Sequence, residues 1–162
     1  MKNHADVNHT YRDLKPIQII MTRRFDGIED VIELFLAKGA NINDKNSAGL
    51  TPLHILVTKH YVHSAQTPSL VKFLLRKGAS INSQDNAGDT PLHVAVKAQD
   101  SDSILVLLNN NCDTSLLNKA ALTALDLAKS INCNSVIITM LENPEAFIKP
   151  AERVIVETEN QV

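Results

Sequence analysis

Apolar residues fall in blocks of two kinds that alternate along the chain. The longer blocks are Ile28–Leu36, Leu70–Leu75, Ser103–Leu108 and Val136–Leu141. Their apolar residues recur at i, i+3 and i+4, which predicts helices with one buried face each. A shorter block precedes each of them: Lys15-Pro16-Ile17-Gln18, Thr51-Pro52-Leu53-His54, Thr90-Pro91-Leu92-His93 and Thr123-Ala124-Leu125-Asp126. A threonine before a proline predicts a helix start, with the hydroxyl as N-cap and the proline where a missing N–H costs nothing. Asp26 with Glu29 reads as a capping box for the first long helix, and Thr67-Pro68 does the same for the second. Gly39 and Gly78 fit the left-handed position that ends a helix, with Asn111 the next-best residue there, and Asn143-Pro144 closes the last helix.

The two kinds of block keep step. The short blocks begin 36, 39 and 33 residues apart. A second motif, Gly39-Ala40-Asn41-Ile42-Asn43, returns as Gly78-Ala79-Ser80-Ile81-Asn82 and as Asn111-Cys112-Asp113-Thr114-Ser115, each time 12 residues before the next threonine. One such unit cannot bury both of its helices, so stability has to come from stacking on neighbours.

These residues resemble the ankyrin repeat, a unit of about 33 residues with a T-P-L-H-x-A signature. The match is close at Thr51 and Thr90, fair at Thr123 and weak at Lys15. The resemblance implies an all-α solenoid of about four helix-turn-helix units joined by β-hairpin-like loops. Residues 1–12 read as a partial hairpin or cap, 13–143 as the repeat domain and 144–162 as a C-terminal cap or tail. The units lie near 13–47, 48–86, 87–119 and 120–143. Phe147 and Ile148 are expected to cover the end of the last unit. The resemblance also implies non-catalytic binding of one or more proteins through hairpin tips and the first-helix face. Alternatives are the recognition part of a larger enzyme or of a secreted bacterial or viral effector, or a small inhibitor of a signalling protein. Asn43 and Asn82 stand where the family can be hydroxylated in an animal cell.

Composition narrows this further. Aromatic residues are 4% of the chain and tryptophan is absent, so the core has to be aliphatic. A net charge of −2 gives no basic field for nucleic acid, and no apolar run approaches membrane length. Two cysteines make no disulfide framework, and the expected setting is cytoplasmic or nuclear, or a host cytosol for a secreted effector. No phosphate loop, nucleophile elbow, C-x-x-C or H-E-x-x-H is present, so no enzyme, cofactor or metal is expected, and the chain is expected to be monomeric.

Candidate binding residues lie where the units differ. Two insertions between first and second helices bring in Arg23, Arg24 and Phe25, and Lys59, His60 and Tyr61. Side by side, they form either a basic, aromatic edge for an acidic partner segment or plugs for their own loops. The tips contribute Asp44 and Lys45, Gln84, and Leu116 and Leu117, the last two being apolar where other tips are polar. That pair either contacts a partner or packs on a neighbouring tip or the tail. Lys97 joins them from the first-helix face, where Met21, Val57, Val96 and Lys129 are also expected beside the tips. His54 and His93 recur at one repeat position and read as structural hydrogen-bonding residues. His60 and His63 lack the further ligands of a zinc site, and Cys112 reads as a core thiol.

Overall fold

The computed structural model describes residues 10–11, 13–23, 26–58 and 67–148. Four helix pairs follow one another: α1 (Pro16–Met21) with α2 (Ile28–Ala37), α3 (Pro52–Leu56) with α4 (Thr67–Arg76), α5 (Pro91–Lys97) with α6 (Ser101–Asn109), and α7 (Ala124–Ser130) with α8 (Ser135–Glu142). A 3-10 turn, Pro144–Ala146, follows α8. No named strand occurs among the described residues; the loops between pairs are fingers closed by turns. One aliphatic core runs through all four pairs, from Ile17 to Leu141. Phe147 and Ile148 pack against it, so the turn after α8 covers part of the stack's last face.

Each short helix starts on the residue that the sequence implied. Thr51, Thr90 and Thr123 accept from the backbone N–H three residues on. The residue at that third position reaches back to the cap and, in the first three units, forward to the next finger. His54 Nδ1 accepts from Thr51 N at 3.2 Å, so Nε2 carries the proton and donates to the Asp89 carbonyl at 3.1 Å. His93 does the same between Thr90 N and the Leu122 carbonyl, at 3.3 and 3.1 Å. In the first unit Gln18 substitutes: Oε1 accepts from Lys15 N at 2.8 Å, while Nε2 donates to the Asp44 and Leu50 carbonyls. Asp126, in the last unit, keeps the backward bonds to Thr123 and has no donor to send forward.

Some starts differ from expectation. Gly27 in the left-handed conformation, not Asp26, is the N-cap of α2, and no side chain caps that helix. Asp30 and not Glu29 therefore stands third in the helix. Thr67 lies inside the first turn of α4, with Pro68 second. Gly39, Gly78 and Asn111 have φ of 90°, 87° and 58°, as their helix-ending role requires.

Successive fingers close on each other backbone to backbone. Asn86 N donates to the Ala48 carbonyl at 3.0 Å, and Lys119 N to the Ala87 carbonyl at 2.9 Å. This approach needs glycine at the residue that follows each carbonyl. A Cβ on Gly88 would stand 2.7 Å from Lys119 N, and its φ is +76°. The equivalent residue in the last finger is Ala121, at φ 57°. Asparagine side chains add a second seam: Asn43 donates to the Gly78 carbonyl and accepts from Ser80 N, and Asn82 accepts from Asp113 N.

Gly88→Ala should destabilise the chain by about 2 kcal/mol, through left-handed strain together with the blocked finger contact. Ala121→Gly should be neutral or stabilising by less than about 1 kcal/mol. Urea denaturation of the two variants beside wild type measures both.

Candidate protein-binding surface

The finger tips form a row in register. Lys45, Gln84 and Leu117 occupy the same position in three successive fingers, and hydrogen bonds lace them together. Lys45 Nζ donates to the Gln84 carbonyl at 2.7 Å. Gln84 Nε2 donates to the Leu117 carbonyl at 2.9 Å and to the Gly88 carbonyl at 2.8 Å. The two polar side chains are thus committed to holding the next finger. Leu117 ends the row, and its side chain is 52% exposed. Leu116 beside it is half-buried, and so is Asp44, whose carbonyl accepts from Gln18.

A buried polar node supports the row from beneath. Asp89 is 2% exposed; its carboxylate takes an ion pair from Lys97 and a hydrogen bond from Asn118 Nδ2, and its carbonyl accepts from His54. Lys97 therefore stands on the exposed edge with its ammonium already paired. Removing one member of such a pair costs more than the pair contributes, because a buried charge is left alone.

The first-helix face is narrower than the sequence suggested. Met21, Val57 and Val96 are fully buried, and of the four residues assigned beside the tips only Lys129 is exposed. α3 and α5 have a short helix on each side and α1 packs between α2 and α3, so their apolar residues join the core. Lys129 lies in the last unit, where it pairs with Glu142 at 2.7 Å. The next position, Thr22, Thr58 and Ser130, is occupied by hydroxyls that donate back to helix carbonyls. Arg23 is exposed just after α1. Arg24, Phe25, Lys59, His60 and Tyr61 lie outside the described residues, as do His63 and the tail beyond Ile148. Beside Val136 and Ile131 in the last unit, exposed apolar residues that sequence reasoning did not single out are Tyr11 at the first finger, 61%, and Leu34 on α2, 57%. Aligning the units would have flagged both: Tyr11 stands with Ser47, Asn86 and Lys119, and Leu34 with Phe73 and Val106.

Both cysteine thiols have raised pKa values. Burial pushes the Cys112 thiol up to about 12, so it stays protonated near neutrality. Cys133 is buried in the turn before α8, and burial raises its pKa as well. A depression of about 240 Å³ beside Cys112 is lined by Leu108, Asn111, Thr114, Pro144, Glu145 and Ile148. No group of three potential metal ligands occurs among the described residues, and no described helix is long and apolar enough to cross a membrane.

A family model described as ankyrin repeats (3 copies) matches residues 18–118 and, overlapping, 60–150. The chain belongs to the ankyrin-repeat family. Ankyrin repeats are generally protein–protein interaction modules and typically non-catalytic. Comparison with curated proteins finds no match.

Burial holds the His54 pKa below its ordinary value of 6.5, the opposing hydrogen bond to Asp89 notwithstanding. Its neutral form is the one folding selects, since a protonated Nδ1 could not accept from Thr51 N. This contribution is therefore present above pH 6.5 and is lost as pH falls below it. His54→Gln, which copies Gln18, should flatten the acid side of the stability profile, whereas His54→Ala should cost about 2–3 kcal/mol at neutral pH. Denaturation of both variants across pH separates the two effects.

Proposed function

We propose that this chain is a non-catalytic recognition module that binds a partner protein along its finger tips. Leu117 is the anchor, with Leu116, Lys45 and the Lys97 edge around it. The observation that carries this reading is the half-exposed Leu117 at the end of a hydrogen-bonded row. A large apolar side chain on a backbone already fixed by its neighbours loses little entropy on binding. Asp44 and Gln84 then act mainly by holding the row, and Lys97 does so as well through Asp89. The inserted edge of Arg23, Arg24, Phe25, Lys59, His60 and Tyr61 is the second contact region and fits an acidic partner segment. The module works in a reducing compartment, cytoplasmic or nuclear, without metal or cofactor.

Leu117→Asp should weaken capture of the partner by at least about tenfold, since the lost apolar burial is joined by a charge to desolvate. Val136→Asp, on the exposed face of the last unit, should leave capture unchanged. Affinity capture from the native cytosol with wild type and both variants, each checked for helicity by circular dichroism, is the test. Equal capture by Leu117→Asp and wild type contradicts the reading.

A further inference from the structure

We propose that the chain forms a dimer through α2, two copies meeting across a two-fold axis at Leu34. In α6, Asp102, Val106 and Asn109 look toward α4, whose Pro68 and Lys72 close the other side of a groove of about 100 Å³. This is the side facing the preceding unit. The repeat register puts Leu34 of α2 in line with Phe73 of α4, Val106 of α6 and, in the last unit, the exposed Thr139 of α8. Phe73 and Val106 are each 4% exposed, whereas Leu34 is 57% exposed. Val31 and Phe35 beside it are only partly buried, and Ile32 is the one buried residue of α2. A helix face of interior composition therefore stands open at the first unit.

Charge selects the occupant. Asp30 and Lys38 lie four residues before and four after Leu34, on the same side of the helix. Both are exposed, and neither is in an ion pair among the described residues; the nearby Glu33 is taken by Lys77 at 2.6 Å. An antiparallel pairing about Leu34 sets Asp30 against the partner's Lys38, and the two-fold axis repeats the contact. The face is thus self-complementary in charge as well as apolar at its centre. The last unit of another copy fits poorly, because Ala121 places a methyl where a following finger's backbone would come. α2 spans about 15 Å, so the interface is at the small end of specific contacts and the association is concentration-dependent. The finger row uses other residues, so a dimer presents two recognition surfaces, and a partner with two epitopes is held by avidity.

Sedimentation equilibrium of the full chain, from micromolar to near-millimolar concentration, tests this. The wild-type mass should rise from 17.8 kDa toward twice that value. Leu34→Glu should stay at 17.8 kDa, and the milder Leu34→Gln should weaken association while keeping the fold, checked by circular dichroism. Asp30→Lys and Lys38→Asp should each dimerise at least about tenfold more weakly alone. Their equimolar mixture should recover the dimer, because each copy then offers the charge the other lacks. A wild-type chain that stays monomeric throughout overturns the proposal. So does a dimer indifferent to Leu34→Glu, or a mixture no better than its components.

Discussion

The stack depends on one side chain per junction that is bonded in two directions. His54, His93 and Gln18 each accept from the backbone at the start of their own helix and donate to a carbonyl of the next finger. A group that only capped its helix would stabilise five to seven residues, too few to persist alone. A group that only reached forward would be ill-positioned, since nothing would fix its rotamer. Joining the two roles makes each short helix conditional on its neighbour. Buried polar atoms at these junctions then have partners, and the aliphatic core can close around them. Asp89 shows how far the coupling extends, because it joins His54 of the second unit with Lys97 and Asn118 of the third.

The same logic gives the stack a direction. At interior junctions glycine admits the next finger's backbone; at the last finger, Ala121 occupies that place with a methyl. The double-bonding residue becomes Asp126, which can accept but not donate onward. A buried valine position becomes Lys129, paired on the surface with Glu142. The opposite face has no comparable polar conversion at its centre, where Leu34 remains an interior type of residue in an exposed place. The first and last described units therefore differ at these positions, with Lys129 paired to Glu142 in one and Leu34 exposed in the other.

Much of this was legible in the sequence because repetition exposes the rule. Thr-Pro-Leu-His at two positions gave the capped helix starts, and the Gly39, Gly78 and Asn111 series gave their ends. Periodicity also argued against chemistry for His54 and His93, since Gln18 and Asp126 hold their place elsewhere. The misses have physical reasons. Asp26 looked like a cap, but Gly27 alone could take the left-handed turn that leads into α2. Met21, Val57 and Val96 looked like surface because a short helix read alone has an outer face; packed among its neighbours, it keeps almost none. The lacing of Lys45, Gln84 and Leu117 was illegible because its acceptors are backbone carbonyls, whose positions follow from how fingers stack. Arg23 was legible as exposed, while its expected neighbours in the inserted edge lie outside the described residues.

Native-state hydrogen exchange read amide by amide tests the central claim, that stability resides in junctions and not in individual units. The account expects the slowest exchange in α3 to α6, where each unit is bonded on both sides, with faster exchange in α1, α2 and α8. The amide of Thr51, which donates to His54, should exchange with the opening of the interior units. Uniform protection from α1 to α8, or slowest exchange in a terminal unit, would contradict it.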